Sequence, residues 1–310
     1  MKEKFMQKTW VVWLGALICC FLWGSAFPCI KIGYGLMEIE SSDTAAQILY
    51  AGVRFTLAGM LAILIGSLGQ RKFLYPSKQA MPKVMKLSMF QTVLQYLFFY
   101  VGLAHTTGVR ASIIEGTNVF VVILVASLIF HQEKLTARKL LGGIVGFAGV
   151  VLVNLAGGSA GGSFSLLGDG FVFMSTVAYG FSSVYLKRYS KDFNTVMLSG
   201  YQFVFGGVIM VVCGLFAGGR LTVWNGQGVA MLIYLALVSA VAYSLWGILL
   251  TYNPVSKVAV FGFMNPVFGV LLSALLLSER DALGLGSVLA LVLVCLGIYI
   301  VNKQPEGLEE

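Results

Sequence analysis

Charged residues are scarce in this sequence. Of its 310 residues, only 11% are charged, whereas 58% are hydrophobic. Soluble domains carry about 25% charged residues on average. A chain with so few charges cannot present an ordinary hydrated surface, which argues against a soluble enzyme or binding domain.

The residues that usually hold metals or form disulfides are few as well. Five cysteines fall within apolar runs without Cys-x-x-Cys spacing, and the only histidines are His105 and His131. Neither a disulfide framework nor a zinc site is therefore indicated. No P-loop, His-Glu-x-x-His or paired-carboxylate motif occurs, so ATP-driven transport by this chain alone is not supported. We expect no cofactor, no metal and no enzymatic activity.

Long apolar runs are what the chain has in abundance. Each is about twenty residues long, the length that crosses the hydrocarbon core of a bilayer. We expect the first run to remain as a helix rather than to be removed as a signal peptide. The sequence thus predicts an all-α polytopic membrane protein with ten spans near 10–32, 45–69, 85–104, 109–130, 138–156, 167–187, 195–217, 229–250, 256–277 and 282–301.

The cations are distributed unevenly over the links between these spans. With the amino terminus in the cytoplasm, most lysines and arginines lie on the inner side, and only Lys31, Arg110, Arg220 and Arg280 lie on the outer side. This is the positive-inside pattern of membrane proteins. The uneven distribution indicates that both termini lie in the cytoplasm, and the net charge of +8 reflects this topology and not a nucleic-acid partner. We expect the protein to lie in the plasma membrane.

The second half of the sequence repeats the first. The aligned segments are 23–31 with 179–187, 51–55 with 199–203, and 96–118 with 243–265. Because each repeat has five spans, an odd number, the second repeat is inserted upside down relative to the first. Inverted repeats are typical of secondary transporters, whose two halves rock around a site between them.

The repeats divide the chain into three parts. We predict a first five-helix repeat over 1–156, an outer linker over 157–166 and a second, inverted five-helix repeat over 167–310. The linker is rich in glycine and serine, a flexible composition. It also matches Gly-x-Ser-x-Gly, but that nucleophile motif needs a strand-turn-helix setting with histidine and acid partners, so we interpret the segment as a linker.

The order and duplication of several motifs resemble the EamA-type transporters of the drug/metabolite transporter superfamily. The motifs are Trp23-Gly24-Ser25-x-Phe27-Pro28-x-x-Lys31, Arg54-Phe55, Asn265-Pro266-Val267-Phe268 followed by Glu279-Arg280, and residues 297–302. The resemblance covers essentially the whole chain. It implies a ten-helix bundle with a central cavity that usually moves amino acids or other small metabolites, often outward.

Three ionisable residues, Lys31, Arg54 and Glu115, fall inside or at the edge of spans. Such residues usually face a cavity or each other, because burying a charge at the bilayer centre costs at least about 2.5–3.5 kcal/mol. Lys31 ends its predicted span and can extend to the interface. At about 1.5 Å per residue, Glu115 and Arg54 lie roughly 9 Å and 13 Å in from the outer side.

Glu115 is the more informative of these residues because its repeat counterpart is Gly262. Three interpretations stay open at this point. Glu115 could form a buried ion pair with Arg54, hold a substrate ammonium, or load and release a proton. We therefore expect Glu115 and Arg54 to serve in coupling or gating.

Polar and aromatic residues at matching depths complete the predicted site. Asn118 and Asn265 occupy equivalent positions and can both donate and accept hydrogen bonds, although interhelical bonding is an alternative role. Aromatic faces can hold amines through cation–π attraction of about 1–2 kcal/mol. The predicted substrate-binding residues are Trp23, Tyr96, Glu115, Asn118, Tyr179, Tyr243, Trp246 and Asn265.

These features predict a secondary transporter, and we expect it to export small organic metabolites such as amino acids, amines or related drugs. Its partners would be the solute, the lipid bilayer and, under one interpretation of Glu115, protons; we expect a monomer or weak dimer. A nucleotide-sugar or phosphorylated-metabolite exchanger is the main alternative, but it should place several cations within the spans. An intramembrane transferase would need a charged catalytic cluster, and a scaffold would not need a buried carboxylate.

Overall fold

The computed structural model describes residues 2–40, 42–106, 111, 114–156, 164–276 and 285–303. Within these ranges the chain forms helices and no strand. The α-helices are α1 Lys2–Met6, α2 Thr9–Leu36, α3 Thr44–Gln70, α4 Met81–Ser88, α5 Gln95–Leu103, α6 Asn118–Leu124, α7 Ala137–Ala156, α8 Phe171–Tyr189, α9 Thr195–Phe216, α10 Gly226–Tyr252, α11 Val255–Ala259, α12 Met264–Leu276 and α13 Leu285–Asn302.

Several of these helices are long and apolar enough to cross a membrane. Helices α2, α3, α9 and α10 have 22 to 28 residues each, and shorter apolar helical stretches cover Ile114–Ile129, Val255–Gly269 and Val288–Asn302. A helix rises about 1.5 Å per residue, so about twenty residues span the hydrocarbon core. The prediction of an all-helical, multi-pass membrane protein is confirmed.

Irregular turns interrupt some of the helices. A π-helical segment, Met89–Leu94, joins α4 to α5, and a second, Val125–Ile129, extends α6. A 3₁₀ segment, Val260–Phe263, joins α11 to α12. Such segments within long helices often mark functional sites or hinges.

Helices α3 and α9 pack closely because both carry glycine at the contact. A methyl group added at Gly59 would lie 2.5 Å from the carbonyl oxygen of Gly200, and one added at Gly207 would lie 2.4 Å from the amide nitrogen of Thr56. A non-bonded carbon atom cannot lie this close to an oxygen or nitrogen atom, so any larger residue would force the two helices apart. Small residues allow this backbone approach in membranes, where packing rather than hydrophobic association holds helices together.

We therefore expect Gly59→Ala to destabilise the protein, because its methyl group would meet the α9 backbone. Overpacking of this kind costs about 1–3 kcal/mol, occasionally more, and should lower the midpoint of thermal unfolding in detergent. Gly69→Ala, in the same helix, is the matched control because nothing lies within 4 Å of the added methyl group. Equal midpoints for the two variants would contradict the close packing of α3 on α9.

A polar network closes one end of the bundle, where α2 begins and α3 ends; we call it the inner end. Glu133 accepts hydrogen bonds from the amide of Ser256 at 3.0 Å and from its hydroxyl at 2.8 Å. The same carboxylate lies 3.3 Å from the ammonium of Lys139. Lys187 donates to the carbonyl of Asn253, whose side chain donates to the last residue of α1. The network ties the link before α7 to the start of α11.

Candidate functional site

A cavity of about 160 Å³ lies between helices drawn from both predicted repeats. Helices α2, α3, α5 and α6 contribute from the first repeat, and α8, α10 and the α11–α12 stretch contribute from the second. The wall includes every predicted substrate-binding residue except Trp246, and its predicted members are Trp23, Tyr96, Glu115, Asn118, Tyr179, Tyr243 and Asn265. Arg54 lines it as well, whereas Lys31 is exposed near the end of α2.

Trp246 supports the wall from behind instead of forming it. Its ring packs against Trp23 with the ring centroids 5.0 Å apart, and Trp23 packs equally closely on Tyr243. Trp246 is only 3% exposed and belongs to the large buried cluster around the inner half of the bundle. Its role in the structure is therefore to fix the position of Trp23.

The hydroxyl groups of Tyr96 and Tyr243 share a hydrogen bond of 2.8 Å across the cavity wall. These tyrosines are equivalent in the sequence repeat, so the bond joins matching positions of α5 and α10. Phe55 packs on the ring of Tyr96 with the centroids 4.4 Å apart, and Phe203 packs on Tyr243 at 4.9 Å. Both rings are thus held from behind, with their hydroxyls at the site.

Glu115 and Arg54 do not pair with each other. The hydroxyl of Ser175 donates to Oε1 of Glu115 at 3.0 Å, and no cation of the described residues lies within 4.0 Å of this carboxylate. Arg54 is only 4% exposed, and its guanidinium lies 4.4 Å from the centre of the Phe55 ring. The open alternative of an Arg54–Glu115 ion pair is therefore not realised, and two opposite charges line one cavity separately.

The helix that carries Glu115 changes its winding next to this residue. Thr117 forms a turn, and both its amide and its hydroxyl donate to the carbonyl of Ile114, at 2.9 and 2.6 Å. The equivalent stretch of the second repeat is the 3₁₀ segment that contains Gly262. Both irregular stretches lie just before an asparagine of the wall, Asn118 in one case and Asn265 in the other. They bring side chains of two equivalent helices to the cavity.

Several polar atoms of the wall lack a hydrogen-bond partner among the described residues. They are Nε1 of Trp23, Nε of Arg54, Oε1 of Gln95 and Oδ1 of Asn265. Leaving a buried polar group unpaired costs about 1–3 kcal/mol, and native proteins contain few such groups. Four of them around one cavity provide donors and acceptors that a bound molecule can use.

Gln95, Ser175 and Ser239 also line the cavity, although they were not among the predicted site residues. Ser175 lies one helical turn before Tyr179, and Gln95 directly precedes Tyr96, so both could have been found from their neighbours. Ser112, which shares the helix face of Glu115 in the sequence, lies outside the described residues. Within the described part of the chain, no three histidine, cysteine or acidic residues cluster as a metal site would require.

Comparison with known proteins identifies relatives over the whole length of the chain. The model of the EamA-like transporter family matches residues 9–155 and 166–303. An uncharacterized transporter of Archaeoglobus fulgidus is 30% identical over 96% of this chain and 100% of its own length. The uncharacterized transporter YvbV of Bacillus subtilis is 25% identical, over 94% of this chain and 92% of its own.

More distant similarities extend this picture. A WAT1-related chloroplastic protein of Arabidopsis thaliana is 25% identical over 97% of this chain and 71% of its own. A solved structure titled only "Crystal structure of protein" superimposes with a TM-score of 0.74, covering 93% of this chain and 94% of its own. Because its sequence identity is 17%, this likeness concerns the fold alone.

Proposed function

Because the chain belongs to the EamA-like transporter family, we propose that it is a secondary transporter that exports small organic metabolites such as amino acids, amines or related drugs. The observation that carries the proposal is the cavity, in which charged, polar and aromatic side chains meet amid apolar helices. Ionisable groups within a membrane protein are costly and usually mark a solute or ion pathway.

The size and charge of the cavity favour a small solute. Its volume of about 160 Å³ is below the roughly 300–1,000 Å³ typical of pockets for drug-sized ligands. Arg54 is the one cation among the described wall residues. A nucleotide-sugar or phosphorylated-metabolite exchanger would need more space and more cations to bind phosphate.

The proposed architecture is ten spans in two inverted five-helix repeats, over 1–156 and 167–310, joined by the linker over 157–166. Two observations support it. The family model matches two segments that end and begin at this linker. In addition, the wall contains the equivalent residues Tyr96 and Tyr243, bonded to each other. In transporters built from two inverted repeats, the two halves move around a substrate site near the membrane midplane.

The proposed orientation has both termini in the cytoplasm of a plasma-membrane protein, as the distribution of cations favours. In a cysteine-free background, we expect an impermeant thiol reagent to modify Ser163→Cys in intact cells and Lys191→Cys only after the cells are opened. Labelling at position 163 only after opening would contradict this topology.

The proposed mechanism is alternating access, in which the inner end opens after the outer end closes. We expect Glu133→Gln to favour the opened inner end, because it removes the charge that holds Ser256 and Lys139. Hydrogen bonds to charged groups are worth about 1.5–3 kcal/mol, so the open population should rise by roughly tenfold or more. The buried thiols of Cys19 and Cys20 are natural reporters of this opening.

The measurement is the rate at which a thiol reagent modifies Cys19 and Cys20 in a background without the other three cysteines. Glu3→Gln is the control, because Glu3 is an exposed acid near the same end. A Glu133→Gln rate equal to that of the control would contradict the role of the network as an inner closure.

Transport itself is tested with purified protein in proteoliposomes. A panel of radiolabelled amino acids and amines is offered with and without an imposed pH gradient, and we expect saturable movement of at least one small solute above the level of empty liposomes. Saturable transport of nucleotide sugars or sugar phosphates instead would favour the exchanger and overturn the proposed solute class.

A further inference from the structure

We propose that the cavity binds its solute as a compact zwitterion, with the carboxylate of the solute on Arg54 and its ammonium on Glu115. The inference rests on the proposed transport function and specifies which charges the transported molecule must carry. It assigns opposite ends of one solute to two residues that line the same cavity.

Arg54 and Glu115 carry separate charges, and no described residue forms an ion pair within 4.0 Å with either of them. No ion pair within 4.0 Å joins Arg54 to Glu115; Glu115 contacts the hydroxyl of Ser175, and Arg54 contacts the ring of Phe55. Both groups nevertheless line the same cavity of about 160 Å³. Buried charges normally pair because desolvation costs several kcal/mol per ion. A solute with both charges would neutralise the two groups at once.

The geometry of Arg54 suits a carboxylate. Its guanidinium carbon lies over the ring of Phe55, 4.4 Å from the ring centroid, and the N–H groups at the edge of the guanidinium are the donors that can bind an anion. Nε, which belongs to this edge, has no partner among the described residues. Guanidinium edges bind carboxylates through two parallel hydrogen bonds, a geometry that a lysine cannot offer. A single small carboxylate therefore fits Arg54 better than a halide or a neutral carbonyl.

The carboxylate of Glu115 suits an ammonium group. Ser175 occupies Oε1, and Oε2 accepts no hydrogen bond from the part of the chain that the structure describes, so it remains available to a donor in the cavity. An ammonium group supplies up to three such donors. The aromatic rings of Trp23, Tyr179 and Tyr243 in the same wall add cation–π attraction for the same group. Their apolar faces also suit a short side chain.

The experiment measures binding to the purified full-length protein by isothermal titration calorimetry. Alanine, threonine, valine and leucine are each offered in three forms: the free L-amino acid, its methyl ester, which lacks the carboxylate charge, and the carboxylic acid without the amino group. We expect at least one free amino acid to bind at least about tenfold more tightly than both of its analogues, the difference that one charge-assisted hydrogen bond can supply.

The two charges are then removed one at a time. Arg54→Gln should lower the affinity for the amino acid to that for the ester, leaving ester binding unchanged or tighter. Glu115→Gln should make the amino acid and its deaminated acid bind equally. Arg54→Lys and Glu115→Asp keep the charges and should retain the preference for the zwitterion if the Gln variants prove unstable. Arg188→Gln and Glu3→Gln, at exposed positions, are the matched controls and should leave all affinities unchanged.

Two results would overturn the inference. One is an ester that binds wild-type protein as tightly as its amino acid, and the other is an equal loss for all three forms in both Gln variants. Measuring uptake into proteoliposomes shows whether only the zwitterion inference fails or the proposed transport function fails as well. Wild-type protein that transports amines but no zwitterion would overturn this inference alone. Folded protein that transports nothing in the panel would overturn both.

Discussion

Replacing Gly262 with leucine should abolish solute uptake while the protein remains folded. Gly262 lines the cavity, and a first carbon added there would meet Val119 at 3.5 Å and Asn118 at 3.7 Å, which are ordinary contacts. The remaining carbons of leucine would compete with solute for a space of about 160 Å³. We expect saturable uptake into proteoliposomes to fall at least about tenfold, the effect of a binding penalty of about 1.4 kcal/mol.

The controls separate loss of the cavity from loss of the fold. Gly262→Ala adds one carbon and should leave intermediate uptake at an unchanged midpoint of thermal unfolding. Gly35→Leu places the same large side chain where nothing lies within 4 Å and should transport normally. Full uptake by Gly262→Leu would mean that solute does not pass through this cavity.

The fold was largely predictable because the bilayer constrains the sequence strongly. Runs of about twenty apolar residues can only be helices, since the backbone must bond within itself away from water. The family resemblance, carried by ordered motifs, is confirmed by the match over residues 9–155 and 166–303. The π-helical turns at Met89–Leu94 and Val125–Ile129 were not predictable, because such turns depend on how neighbouring helices pack.

The sequence repeat predicted which residues of the two halves meet at the candidate site. It did not predict which residues of a helix face the cavity, because that depends on how the helix is rotated. Tyr96 and Tyr243 are equivalent in the alignment, and they contact each other. Trp246 lies three residues after Tyr243, a rotation of about 300° at 3.6 residues per turn, so both rings reach Trp23 but only Tyr243 lines the cavity. The depths of Arg54 and Glu115 along their helices carried no information on the lateral distance between them.

Glu115→Gln should stop the transport of solutes that carry an ammonium group while the protein stays about as stable as the wild type. The side chain keeps its size, and its amide oxygen can still accept the hydrogen bond from Ser175. A broken buried ion pair would cost about 3–5 kcal/mol, but Glu115 has no such partner among the described residues. The charge that a solute ammonium would bind is lost, so net uptake and exchange of these solutes should fall together.

Exchange of labelled for unlabelled solute across proteoliposomes is the decisive measurement, because it needs no net movement of protons. If Glu115 were only a proton carrier, Glu115→Gln would lose gradient-driven accumulation and keep exchange, which would contradict the ammonium role. Ser175→Ala is the matched control: it removes one hydrogen bond, worth roughly 0.5–1.5 kcal/mol, but keeps the carboxylate. It should therefore weaken exchange by no more than about tenfold. Normal exchange, normal accumulation and an unchanged unfolding midpoint in Glu115→Gln would reject both roles, because a residue that touches neither solute nor proton has no reason to alter transport.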